Sequence, residues 1–181
     1  MSVFLVTGAS RGLGRSIVTA ALAAGHQVVA GVRDLHALDD VTVPEGAALV
    51  PVALDVTDAG AARSAVRTAI ERFGRLDVLV NNAGYANLAS IEDVDPDDFR
   101  AQVETNLFGV VTLTQAALPV MREQGSGHVV QVSSVGGRLA TPGLGAYQTA
   151  KWAVGGFSSV LAAEVAPPGV RVTVLEPGGM R

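Results

Sequence analysis

The sequence predicts an α/β fold, a doubly wound parallel sheet with helices on both faces, and three observations carry the prediction. Short β-branched runs alternate with longer helical ones along the whole chain, most of those runs are apolar at consecutive positions, and the first feeds directly into a glycine-rich turn. Continuously apolar strands are buried on both faces, as a parallel sheet requires and a one-sided antiparallel sheet does not. The composition agrees. The chain has 181 residues, 49% hydrophobic and 17% charged with 21 glycines, which suits one core and a fully covered sheet, so residues 1–181 are read as a single domain.

Six strands are expected in order: VFLVT (3–7), QVVAGV (27–32), AALVPVAL (47–54), LDVLVN (76–81), HVVQVS (128–133) and VRVTVLE (170–176). Helices are expected at about 12–24, 58–73, 96–122 and 147–165. The boundary residues fit this order. Gly25 and Gly74 follow helices as C-terminal caps, and Asp95-Pro96 sets an N-cap carboxylate before a proline in the first turn. The acidic cluster Asp93, Asp95, Asp97 and Asp98 reads as helix capping, and His26, His36 and His128 are scattered along the chain. No metal site and no serine-histidine hydrolase site is therefore expected. Trp152 and Phe157 read as core or subunit contacts.

Charge and residue usage exclude further classes. The formal net charge is −4 with no basic cluster, so neither nucleic acid nor an anionic membrane is expected as a partner. Cysteine is absent, which excludes disulfides and thiolate metal sites. No apolar run reaches the roughly 20 residues of a membrane span. The first strand begins by Val3, leaving no room for a signal peptide, and a cytoplasmic location is expected.

Chemistry concentrates in two places. The opening VFLVTGASRGLG runs a strand into glycines at 8, 12 and 14 and then a helix, with Ser10, Arg11 and Leu13 between them. Such a turn presents free backbone N–H groups to a phosphate. Gly8 permits the tight turn, Gly12 lets backbone approach a pyrophosphate, and Gly14 lets helix and strand pack closely. The second place is YQTAK, Tyr147 to Lys151, a phenol and an ammonium one helical turn apart on one face. A phenol titrates near about 10, and a cation beside it stabilises its anion, so Tyr147 is a candidate acid/base. Upstream, HVVQVSS delivers Ser133 and Ser134 to the carboxyl edge of a strand, where parallel sheets bind ligands. Ser134 is the candidate for holding a substrate oxygen.

Together these segments resemble the short-chain dehydrogenase/reductase family of Rossmann-fold oxidoreductases. The resemblance rests on TGASRGLG at 7–14, LDVTD at 54–58, NNAG at 81–84, Asn106 in ETNLFG, Ser134 in VSSVGG, YQTAK at 147–151 and EPGG at 176–179, in the family's order and almost end to end. It implies reversible hydride transfer between a nicotinamide and a carbonyl or alcohol carbon of a small molecule. In that scheme Tyr147 is the acid/base and Ser134 holds the carbonyl oxygen, its separation from Tyr147 matching the family's, while Ser133 faces the sheet. Lys151 tunes Tyr147 and holds ribose hydroxyls, and Asn106 anchors a water that relays protons to Lys151. The implied cofactor contacts are Asp55 and Val56 near the adenine, Asn81, Ala83 and Gly84 along the ribose, and Pro177 and Gly178 against the nicotinamide. A homo-oligomer formed through the long helices is implied as well.

Rossmann-type sites separate NAD from NADP at the end of the second strand, where an acid binds the ribose and repels a 2′-phosphate. The position that is acidic in NAD-preferring relatives is Val32 here, followed by Arg33, and Arg11 adds a second cation. Two guanidiniums favour NADP(H) over NAD(H). Asp34 opposes this reading, because it lies at about the offset of a ribose-binding acid; it also has Arg33 as a neighbour to pair with. Family members continue past the Pro-Gly turn through a substrate-covering loop, further helices and a seventh strand, so the chain reads as C-terminally incomplete and its substrate is not legible. Two alternatives stand beside the oxidoreductase: a non-catalytic NAD(P)-binding sensor or scaffold, and an NAD-preferring dehydrogenase or an epimerase-type relative.

Overall fold

Hydrophobic strands that each end in a polar or glycine turn build a sheet whose carboxyl edge carries the loops. The computed structural model describes residues 1–167 and 169–179. In chain order the elements are β1 (Val3–Thr7), α1 (Gly12–Ala23), β2 (Gln27–Val32), β3 (Ala48–Ala53), α2 (Ala59–Phe73), β4 (Val78–Asn81), α3 (Pro96–Val103), α4 (Gly109–Gln124), β5 (Gly127–Val132), α5 (Gly145–Val165) and β6 (Val170–Leu175). All strand pairs are parallel, in the order β3-β2-β1-β4-β5-β6. The chain winds outward from β1 to β3, returns to β4 beside β1, and winds outward again. Right-handed crossovers in opposite directions put the helices of the two halves on opposite faces.

Two cores result. Leu5 and Leu79 pack with Ala65 of α2, Leu113 and Met121 of α4 and Leu161 of α5 on one face. Val6 and Val80, the next residues of the same strands, pack with Val18 and Leu22 of α1 on the other. The period of two sends neighbours to opposite faces, which is why these strands are apolar at consecutive positions.

The two faces of the sheet are covered unequally over the described residues. A helix is about 10 Å across and strands repeat at about 4.8 Å, so α1 covers roughly two strands, helped by Leu38 of a short 3₁₀ turn, Leu35–Leu38, which is buried in the same core. On its face Val78 and Val130 are only half-buried, and the edge strands β3 and β6 alternate between partly covered and exposed positions. The strand ends also differ. β4 begins at Val78 rather than 76, because Asp77 turns its carboxylate to accept the Val3 N–H at 2.8 Å. β5 ends at Val132, and the Ser133 N–H closes the ladder by donating to Leu175 O at 2.8 Å.

Caps are where the residue types require them. Asp58 accepts from Gly60 N and Ala61 N at the head of α2, and Asp95 accepts from Asp97 N and Asp98 N at the head of α3. The helix expected over 96–122 is broken by a π-turn, Glu104–Phe108, between α3 and α4. The helix expected from 147 begins at Gly145. Phe157 packs on the larger core as expected, but Trp152 is 55% exposed and is not a core residue. No described helix is long and apolar enough to cross a membrane, and among the described residues no group of three or more His, Asp or Glu is placed to hold a metal.

Candidate active site

The strand order reverses between β1 and β4, and the loops leaving their carboxyl ends part there to form a crevice, the place where doubly wound sheets bind ligands. The crevice has a volume of ≈ 1020 Å³. Its floor is the glycine turn after β1. Gly8 and Gly12 take left-handed φ values of +64° and +54°, which disfavour any side chain, and a Cβ on Gly14 would lie 2.2 Å from the Gly8 carbonyl oxygen. No side chain caps the N-terminus of α1, so its leading N–H groups are free where Ser10, Arg11, Gly12 and Leu13 line the crevice.

The turn is pinned to β4 by two residues that sequence reasoning passed over. Thr7 Oγ1 accepts the N–H groups of Asn82 and Ala83 at 2.9 and 3.0 Å. The Asn82 amide donates back to Thr7 O at 2.9 Å and Gly8 O at 3.2 Å. The available signal was a pair of short polar side chains at the ends of adjacent strands. Asn81, by contrast, does not line the crevice. Its side chain turns into the interior and donates to Thr114 Oγ1 and Gln131 Oε1, a fully buried triad. In a strand Asn81 and Asn82 must face opposite ways, so only one of them can reach the opening.

Around the rim, Arg33 follows β2 and Asp55 and Val56 follow β3. Asp55 accepts the N–H and hydroxyl of Thr57, and the Thr57 N–H is the largest cause holding its carboxyl below the usual range. Asp34 does not line the crevice, and it forms no ion pair with Arg33. Its carboxylate accepts the His36 N–H at 3.0 Å and caps a short 3₁₀ turn, Leu35–Leu38. Arg11 and Arg33 are exposed and lie in no ion pair among the described residues.

The far wall brings together Ser134, Tyr147, Lys151, Pro177 and Gly178. Ser134 Oγ accepts the Gly136 N–H at 3.0 Å, an arrangement that leaves the hydroxyl proton free. Ser133 is buried and donates its hydroxyl to Lys151 O at 3.1 Å. Pro177 is fixed to the serine loop by the Val135 N–H, which donates to Pro177 O at 3.0 Å. Lys151 is 4% exposed, its Nζ donates to Val132 O at 2.8 Å, and it lies 5.6 Å from the centroid of the Tyr147 ring. Burial pulls its ammonium down from 10.5 to about 8.

Asn106 stands behind this wall, in the π-turn, and is fully buried. Its amide donates to Tyr85 O and Gln102 O, both at 2.8 Å, and its Oδ1 accepts the Tyr85 N–H at 3.2 Å. Both amide protons and Oδ1 of Asn106 are thus engaged by backbone groups. What Asn106 does is hold the segment after β4. A Cβ on Gly84 would lie 2.4 Å from Asn106 Oδ1 and 3.5 Å from Lys151 Nζ, so glycine is what lets the three approach. π-turns concentrate at functional sites, since the extra residue re-aims one side chain.

Known proteins share this fold. The chain is 57% identical over 180 residues to Oxidoreductase BOA17 of Botryotinia fuckeliana, covering 99% of this chain and 66% of that protein. A short-chain dehydrogenase from Streptomyces avermitilis superposes with a TM-score of 0.93 at 44% identity, over 99% of this chain and 66% of its own. An alcohol dehydrogenase from Thermococcus sibiricus, solved in complex with 5-hydroxy-NADP, superposes with a TM-score of 0.92 at 30% identity, over 99% of this chain and 77% of its own. The chain thus spans just under two thirds of the first two relatives. The sequence profile described as "short chain dehydrogenase" matches residues 2–181, and this chain belongs to that family.

Proposed function

We propose that the protein is an NADP(H)-dependent oxidoreductase interconverting a small-molecule carbonyl and a secondary alcohol, with Tyr147 as acid/base. The observation that carries this reading is a nearly buried ammonium, Lys151, held beside the ring of a cleft-lining phenol. Burying a charge is costly, and structural needs alone do not explain one next to a titratable hydroxyl. The crevice fits a dinucleotide: uncapped N–H groups at α1 suit a pyrophosphate, and Gly12 has no atom within 4 Å of where its Cβ would be. When bound, the cofactor supplies the hydride.

The chain's own residues supply geometry and the proton. Ser134 donates its free hydroxyl proton to the carbonyl oxygen, and Tyr147 Oη delivers a proton to that oxygen as the alcohol forms. Lys151 keeps a positive charge beside Tyr147, and it also holds ribose hydroxyls. Asn106 is a positioning residue that acts through Tyr85 and Gly84. Arg11 and Arg33 are free to grip a 2′-phosphate while Asp34 is occupied by His36 N–H, which supports NADP(H) over NAD(H). The Thermococcus relative solved with 5-hydroxy-NADP, and a metagenomic relative solved with NADP, support the same cofactor. Exposed Phe108, at the N-cap of α4, and Trp152 and Val160 of α5 support a homo-oligomer formed through α4 and α5.

A panel of carbonyls followed by NADPH absorbance tests the reading. Tyr147→Phe is expected to lower turnover by about 10² to 10⁴ while leaving NADPH affinity nearly unchanged. A Tyr147→Phe protein that keeps most of its turnover overturns the assignment, and binding with no turnover on any carbonyl favours a sensor.

A further inference from the structure

We infer that Arg15, which does not line the crevice, sets the spacing of the two arginines that do, and so is a positioning residue for recognition of the cofactor's 2′-phosphate. The inference rests on the NADP(H) reading above. Arg15 lies in the first turns of α1. Its Nη1 donates to Ser10 O at 3.4 Å and Ala37 O at 3.0 Å, and its Nη2 donates to the Asp40 carboxylate. Ser10 is the neighbour of Arg11 in the glycine turn, whereas Ala37 and Asp40 belong to the segment that follows Arg33. One guanidinium therefore ties together the two loops that carry the free cations.

Apart from the core that Ala9 and Leu38 share, few contacts between the loops do so. Beyond the β1–β2 ladder, the backbone link between these loops among the described residues is Ala9 N to Gly31 O, which comes before Arg33. The planar fork of an arginine reaches two carbonyls and a carboxylate at once, which a lysine ammonium on a flexible stem does not reproduce. The same staple steadies the 3₁₀ turn whose cap is Asp34. Cutting it loosens the grip on a phosphate and releases a carboxylate toward the ribose, and both changes disfavour NADPH relative to NADH.

The test titrates NADPH and NADH separately into the purified wild-type protein and into Arg15→Ala, Arg15→Lys and Arg33→Ala, with far-UV dichroism as a folding control. For both Arg15 variants we expect NADPH to weaken by about fivefold or more, on the order of one hydrogen bond, with NADH changed less than about twofold. Equal losses for the two cofactors would make Arg15 merely structural, and a wild-type ratio in Arg15→Lys would reduce its role to charge; either result overturns the inference. If Arg33→Ala collapses the preference and the Arg15 variants do not, the inference alone fails. If Arg33→Ala leaves the preference intact, the 2′-phosphate reading fails and the inference falls with it. Should Arg15→Ala not fold, Arg15→Lys decides by the same criterion.

Discussion

Lys151 provides a prediction about stability that is independent of any substrate. Its ammonium is pulled from 10.5 to about 8 by burial, with a single compensating bond to Val132 O. A base whose folded value is lowered penalises the folded state while it is charged. Below about pH 8 both states carry the proton and the folded state bears the full cost. Between about 8 and 10.5 the unfolded chain still binds a proton that the folded chain has released, so stability rises with pH; above 10.5 it levels off. At about 1.36 kcal/mol per pH unit, the window is worth roughly 3 kcal/mol. Lys151→Met keeps the length and loses the charge. Urea unfolding of both proteins at steps from pH 7 to 11 is the assay, and the stability difference, wild type minus variant, should climb by roughly that amount across the window. Groups that titrate in both proteins cancel in the difference. Parallel pH curves for the two proteins would show that the ammonium is not paying a burial cost, and the argument that its charge is retained for chemistry would lose its foundation.

Other outcomes follow from single contacts. Gly14→Ala would put a Cβ 2.2 Å from Gly8 O and 2.4 Å from Asn82 Nδ2; overpacking of this kind costs about 1 to 3 kcal/mol, visible as a thermal midpoint lowered by several degrees together with weaker cofactor binding. Asn106→Ala leaves the Tyr85 and Gln102 carbonyls without that donor and should cost about 1 to 3 kcal/mol, with turnover falling more than NADPH affinity; unchanged kinetics would remove it from the site. Arg138→Gln breaks an exposed ion pair with Glu176 at 2.7 Å, and a loss above about 1 kcal/mol in a denaturant titration would contradict the small value of surface pairs.

The glycine turn, the Tyr147–Lys151 pair and the Ser134 turn were legible in the sequence because each depends on residue spacing within one or two turns of chain. Arg33 was legible for the same reason, being adjacent to the end of β2. The roles of Asn81 and Asn82 were not, since which asparagine reaches the crevice depends on the phase in which β4 pairs between β1 and β5. Thr7 and Asn82 meet across 75 residues of sequence, so their pairing depends on β1 and β4 lying side by side. The π-turn at Asn106 was hidden too, because α3 and α4 share one uninterrupted helical pattern and the extra residue is stabilised by bonds to Tyr85, outside the helix.

The sequence alone determined the α/β class, the order of strands and helices, the glycine turn and the spacing of Tyr147 and Lys151, all of which follow from hydrophobic period and local side-chain chemistry. Tertiary structure decided what depends on distant segments meeting. Asp34 was turned away from the crevice to cap a 3₁₀ turn, and Trp152 was left exposed. The physical reason is common to these cases: spacing specifies which groups a segment offers, whereas burial and partnership are set by whatever the rest of the fold brings against it.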